Sequence, residues 1–245
     1  MTYSPFTLHG QHRPSRFLIT CDHATNTVPP QVNGGDLGLG PEDMGRHIAY
    51  DVGALPLSLA LGERLDAPVV ASNFSRLVID PNRGTDDPTL LMKIYDGSII
   101  PANRHADAAE RRRRIDLFYQ PYHDALAKVA ARPRTVIVSM HSFTPRLRGH
   151  VSRPWHIGVL HTDDTRFSGP LIAALEAEGD LVVGDNQPYT GTLSGDAVDR
   201  HGTAFNRPNA LIEVRNDLID GAEGQEAWAD RLSRVLTAAL ANSGL

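Results

Sequence analysis

The sequence predicts an α/β protein with a largely parallel sheet held between helical layers. Three observations carry this. Short apolar runs bounded by loops recur along the chain, and stretches of helical periodicity alternate with them. Val136-Ile137-Val138 is a continuous β-branched run, as expected of a strand covered on both faces. With 245 residues and no repeat, low-complexity tract or linker, the chain is read as one domain spanning 1–245.

Taken in order, residues 16–21 form the first strand after a polar lead-in. Residues 25–40, rich in Pro, Gly and Asn, form a long loop, a length more typical of functional segments than of connectors. Pro41, followed by Glu42 and Asp43, suits a helix start. Met44, Ile48, Val52 and Leu55 then recur at helical spacing, so the helix is expected to run to Leu65 with a kink at Pro56. Residues 68–71 and 77–79 read as short strands, 86–103 as irregular, and 105–131 as a helical stretch interrupted near Pro121. Residues 134–141, 156–160, 181–183 and 210–214 read as the remaining strands, with helices over 167–178 and 225–241.

Composition narrows the function. A net charge of -5 argues against nucleic acid as a partner. The one basic cluster, 111–114, is flanked by Asp107, Glu110 and Asp116 and reads as a solvated helix face. The single cysteine, Cys21, excludes an internal disulfide and reads as a small buried residue. No apolar stretch approaches the ~20 residues that span a bilayer. The N-terminus lacks the pattern of a signal peptide, so the expectation is no membrane and a cytoplasmic location. There is no GxGxxG or GxxxxGK[ST], which leaves dinucleotide and P-loop readings without support.

Three residues stand where apolar runs end: His23 after 17–21, His141 after 135–140 and Glu213 after 210–212. Open α/β sheets bind ligands beyond the carboxyl ends of their strands. Two imidazoles and a carboxylate delivered there suit a hydrolytic metal site. Asp80-Pro81-Asn82-Arg83 follows another apolar run and joins the same edge.

These residues carry a resemblance. Cys21-Asp22-His23-Ala24-Thr25-Asn26 with Val28-Pro29, Ser75 through Arg83, Ser139-Met140-His141-Ser142, and Ile212 through Asp217 resemble, in order and over nearly the whole chain, the N-formylglutamate amidohydrolase family. That family is related to zinc carboxypeptidases and aspartoacylases. The resemblance implies a three-layer α/β/α sandwich with a mixed, largely parallel sheet, of hydrolase and zinc-exopeptidase type. It implies Zn2+, or another divalent metal, on His23 and His141. It implies Glu213 as general base, and Asn82 and Arg83 as holders of a substrate carboxylate.

One departure matters. Those relatives bind zinc through His-x-x-Glu, and the position that should hold Glu is Asn26, a poor zinc ligand. Asp51 and His47, four apart on the expected helix and so on one face, are the other candidates for third ligand. Asp51 also falls where the family often carries an Asp.

The implied reaction is hydrolysis of the amide of a small anionic N-acyl amino acid, with N-formyl-L-glutamate giving formate and L-glutamate as first choice. Arg76, Arg83 and Arg215 near strand ends suggest a dianionic substrate, although an arginine in these places can instead pair with Asp80 or Asp217. Asn186 and Tyr189 follow a strand and are candidate substrate contacts, though turn chemistry also explains that segment. Residues 142–155, with Arg146, Arg148, His150 and Arg153, form a candidate lid. The rival readings are a deacylase or peptidase on another small N-acyl substrate, and a catalytically silent binding protein of the same fold.

Overall fold

The computed structural model describes residues 3–245. The expected polar lead-in holds a short strand, β1 (Phe6–His9), which alternates apolar and polar over its four residues. Then follow β2 (Phe17–Cys21), α1 (Pro41–Met44), α2 (Ala54–Arg64), β3 (Val69–Ser72) and a small hairpin of β4 (Ile94–Tyr95) and β5 (Ser98–Ile99). Next come α3 (Ala108–Arg114), α4 (Gln120–Ala130), β6 (Val136–Phe143), β7 (Ile157–Leu160), α5 (Ser168–Glu176) and β8 (Val183–Asp185). The chain closes with α6 (Ala197–His201), β9 (Asn209–Arg215) and α7 (Ala222–Asn242).

Seven strands make one mixed sheet in the order β1-β3-β2-β6-β9-β7-β8. The β3–β2, β2–β6, β6–β9 and β7–β8 pairs are parallel; β1–β3 and β9–β7 are antiparallel. Strand alternation builds two cores. Phe17, Ile19, Val136, Val138 and Met140 face Leu57 and Leu61 of α2, Leu171 of α5 and Leu232 of α7. Leu18, Val70 and Ile137 face the other way, against Phe118 and against Tyr122, Leu126 and Val129 of α4. The expected three-layer α/β/α sandwich is therefore the observed one. Among the described residues, no helix is long and apolar enough to cross a membrane.

Several expectations change. The helix expected from Pro41 to Leu65 is two helices, with a turn over 45–53 between them and no kink at Pro56, which lies in the first turn of α2. The break is tertiary: the Asp51 N–H donates to the His23 carbonyl at 2.9 Å. Gly53 has φ of 78° and sits where a Cβ would collide with the Ile219 carbonyl, so it closes the turn as no other residue would. Residues 77–79 form a buried turn rather than a strand, because Val78 N–H bonds back to Ser75 O at 2.9 Å. The 105–131 stretch contains a π-helical turn, Ile115–Tyr119, before α4. The 111–114 cluster is not wholly a solvated face: Arg114 is buried, donating to Val78 O and to Asn103 Oδ1, each at 2.8 Å.

Candidate active site

His23 lies two residues past the end of β2, in a turn, and is buried. His141 sits within β6 rather than at its end, and Glu213 is its register partner on the parallel strand β9. The turn between α1 and α2 brings in Asp51. One oxygen of its carboxylate, Oδ2, lies 2.8 Å from His141 Nδ1 and 3.3 Å from His23 Nδ1, and accepts the Ser142 N–H at 3.3 Å. The two imidazoles meet edge to face, with centroids 4.8 Å apart.

The far nitrogens are held by two further buried carboxylates. His23 Nε2 lies 2.7 Å from Asp80 Oδ1, and His141 Nε2 lies 3.2 Å from Asp22 Oδ2. A carboxylate only accepts, so each Nε2 donates to the carboxylate behind it. The two Nδ1 atoms and an Asp51 oxygen converge, with ligand atoms within 4.8 Å of one another. Burial opposes charge on His141, but its hydrogen bonds to Asp22 and Asp51 hold it protonated well above the ordinary histidine range. A divalent cation would replace the Nδ1 protons and meet two lone pairs and a carboxylate oxygen. Two imidazoles and one carboxylate, each imidazole backed by a carboxylate, are the donor set of a catalytic divalent-metal site. The residues fit the group.

Electrostatics follow from crowding. Burial opposes charge on Asp51, but His23 and His141 hold its carboxyl far below the usual range. Burial likewise opposes charge on Asp80, which Arg76, His23 and Arg83 override. Glu213 goes the other way: burial pushes its carboxyl up to about 7. Its Oε2 is buried without a hydrogen-bond partner among the described residues.

His23, Asp51, His141 and Glu213 line a cavity of about 230 Å³ that also takes in Asn82, Arg83 and Tyr189. Arg83 donates to Thr89 Oγ1 at 3.2 Å and to Asn82 O at 2.7 Å, and among the described residues it has no carboxylate partner. Its loop is braced from behind by Tyr119 Oη donating to Arg83 O at 2.8 Å and His123 Nε2 donating to Pro81 O at 3.0 Å. Asn82 accepts the Ala197 N–H on its amide oxygen at 3.2 Å, which leaves its NH2 as the free donor. Arg76 also lines the cavity but is tied to carboxylates, at 2.8 Å to Asp80 and 3.4 Å to Asp51. Tyr189 accepts from Arg153 of the 142–155 segment at 3.0 Å.

Other candidates stand apart. Asn26 donates to Met44 O at 2.8 Å and so fastens the loop to α1. His47 is not on a helix with Asp51; it lines the cavity beside Tyr95, 3.6 Å from Asp96, outside the His23–Asp51–His141 group. Arg215 lies outside the cavity, paired with Asp217 at 2.8 Å. Asn186 also lies outside, its oxygen accepting the His161 and Gly191 N–H groups at 3.0 Å each. With Arg76 and Arg215 both paired, the set of three arginines for a dianion reduces to Arg83. The sequence reading names Asp22 and Asp80 only as motif members and misses their place behind the imidazoles; it misses altogether Asp196, a buried acid in the cavity wall. Asp22, adjacent to His23, carried a signal; Asp196 carried only that of a helix cap.

Fold and site together define an α/β enzyme of hydrolytic type. The family model for N-formylglutamate amidohydrolase matches residues 15–220, and the chain belongs to that family. It is 27% identical over 203 residues to the N-formylglutamate deformylase of Pseudomonas aeruginosa, covering 75% of this chain and 73% of the relative. A gene product of Agrobacterium tumefaciens with a solved crystal structure is 32% identical, with a TM-score of 0.93 over 99% of this chain and 97% of that one. The N-formylglutamate amidohydrolase structure from Ralstonia eutropha, 22% identical, superposes with a TM-score of 0.72 over 99% of this chain and 100% of that one, a likeness of fold.

Proposed function

We propose that this chain is a metal-dependent amidohydrolase that cleaves the amide bond of a small N-acyl amino acid, with N-formyl-L-glutamate as the reference substrate that its family name supplies. The observation that carries the reading is Glu213: a buried carboxylate oxygen without a partner, across one strand pair from His141. Such a group is poorly explained by stability, since an unsatisfied buried acceptor is unfavourable by about 1–3 kcal/mol, and well explained by proton transfer.

Zinc or another divalent cation on His23, Asp51 and His141 would supply Lewis acidity toward the carbonyl and the attacking water. The chain's own residues do the rest. Asp22 and Asp80 keep both imidazoles in the tautomer that presents Nδ1. Glu213 takes the proton from water as the new C–O bond forms, and delivers it to the amine as the C–N bond breaks. Arg83 and the Asn82 NH2 hold the substrate carboxylate. The products are a free carboxylic acid, formate in the reference case, and the amino acid.

The test is formate release from N-formyl-L-glutamate by metal-replete protein, with and without prior chelation. Release that chelation abolishes and added metal restores is the expected result. Full activity after exhaustive chelation removes the metal from the mechanism, and no release from any N-acyl amino acid removes the reaction.

A further inference from the structure

The Asn82–Arg83 arm is backed by a ladder of side chains that reaches to α6. The Pro81 and Arg83 carbonyls, on either side of Asn82, take hydrogen bonds from His123 and Tyr119. These two residues are four apart, where the π-helical turn passes into α4, so they share a face. Each is met in turn by one of two consecutive residues of α6. Arg200 donates to Tyr119 Oη at 3.0 Å, its guanidinium 5.3 Å from the ring centroid. His201 Nε2 lies 2.8 Å from His123 Nδ1, and the two rings stack. Ala197, the first residue of α6, donates its N–H to Asn82 Oδ1. The backbones close up in the same place: Gly195 has φ of 77°, and a Cβ there would come within 2.9 Å of Gly84 Cα.

The partner that can only accept fixes the direction of these bonds. Pro81 O takes a proton from His123 Nε2, and burial keeps His123 neutral, so its Nδ1 is an acceptor. His201 Nε2 therefore donates to it. Apolar side chains would fill this interior without polar groups to satisfy. What His123, His201 and the Tyr119 hydroxyl add is direction, because they fix the two carbonyls that flank Asn82. Arg83's own bonds, to Thr89 and to Asn82, are local to its loop and do not fix where that loop stands.

We propose that Tyr119 and the His123–His201 pair are positioning residues for substrate binding, which hold the Asn82–Arg83 arm where it meets the substrate carboxylate. The proposal rests on the amidohydrolase reading and deepens it. None of the three lines the cavity or belongs to the His23–Asp51–His141 group. Their loss therefore falls on binding and leaves metal affinity and proton transfer in place.

The experiment compares Tyr119→Phe, His201→Leu and His201→Gln in metal-replete protein. KM and kcat are measured on N-formyl-L-glutamate, zinc affinity by chelator competition, and binding of L-glutamate by calorimetry, which needs no turnover. Tyr119→Phe and His201→Leu should each raise KM and weaken L-glutamate by about fivefold or more, the effect of losing a buried hydrogen bond, with kcat and zinc affinity unchanged. His201→Gln, whose amide N–H can donate in place of the imidazole, should restore binding. Each loss should also shrink in an Arg83→Lys background, because residues that act through one another are not additive.

Unchanged KM and L-glutamate affinity in both Tyr119→Phe and His201→Leu overturns the proposal. So does a fall in zinc affinity or kcat alongside binding, as a merely structural role would give. Losses that stay full size in the Arg83→Lys background, or a His201→Gln variant as impaired as His201→Leu, overturn it too. If His201→Leu does not fold by circular dichroism, Tyr119→Phe and its double variant with Arg83→Lys decide. If wild-type protein releases no formate, the amidohydrolase reading fails by itself and calorimetry judges the arm. Wild-type protein that neither turns over nor binds L-glutamate overturns both.

Discussion

Asp80 Oδ1 lies 2.7 Å from His23 Nε2, on the side of the ring away from Asp51. The same carboxylate grips Arg76 through its other oxygen at 2.8 Å. Asp80 thus stands behind the imidazole, on the side away from the His23–Asp51–His141 group, although it belongs to the Asp80–Arg83 segment whose later residues do line the cavity.

Carboxylates that orient ligating imidazoles typically contribute about 10–100-fold in metal affinity. Asp80→Asn and Asp22→Asn should each weaken binding of zinc by that order, read by competition with a chromogenic chelator. Circular dichroism on the same samples reports the fold. Wild-type affinity in both variants would show that the imidazoles need no orientation from behind.

The third ligand separates cleanly by substitution. Asp51→Ala should abolish stoichiometric metal binding, whereas Asn26→Ala should keep it, because Asn26 is engaged with the Met44 carbonyl. Elemental analysis of the dialysed proteins makes the comparison. Metal lost from the Asn26 variant but kept by the Asp51 variant would reverse the assignment.

Glu213→Gln preserves shape and removes the proton acceptor. Metal content and thermal midpoint should stay near wild type while kcat falls by about 10²–10⁴-fold, the usual contribution of general acid–base assistance. A variant running at wild-type rate assigns the proton transfer elsewhere.

Arg83→Lys keeps charge but not the planar fork. Loss of a charge-assisted hydrogen bond of roughly 1.5–3 kcal/mol corresponds to about 10- to 150-fold in kcat/KM. Arg215→Gln, outside the cavity, should change it by no more than about 0.5 kcal/mol, the range of ordinary surface substitutions. Equal losses in the two variants would mean that the arm around Arg83 does not hold substrate.

His123 and His201 stack in the interior, with Nδ1 of the first 2.8 Å from Nε2 of the second. Burial lowers His123 to about 3 and His201 to about 4. The unfolded chain therefore binds more protons than the folded one below the ordinary histidine value. Stability should decline as pH falls from about 6.5 toward 4, by about 1–2 kcal/mol per imidazole at pH 5. Urea unfolding at pH 7 and pH 5 measures this, and His201→Gln should flatten the difference. An unchanged pH slope in that variant places the acid sensitivity in other groups.

The sequence by itself determined what depends on local pattern. Val136-Ile137-Val138 became the opening of a strand buried on both faces, because its β-branched side chains suit either core. His23, His141 and Glu213 were visible as polar residues closing apolar runs, and the family resemblance drawn from them is the family the chain belongs to. What depends on distant chain was not visible. The periodicity through Met44, Ile48, Val52 and Leu55 reads as one helix, yet the His23 carbonyl and the close approach of Ile219 break it, and that break is what carries Asp51 to the imidazoles. β1, Phe6-Thr7-Leu8-His9, alternates apolar and polar over only four residues, too short a pattern to stand out from the polar lead-in, and forms because the edge of β3 offers a hydrogen-bonding partner. The pairing of Arg76 and Arg215 with carboxylates, and the freedom of Arg83, likewise arose from packing. Charge in a buried pocket is a property of neighbours brought together by the fold, and one-dimensional spacing does not encode it.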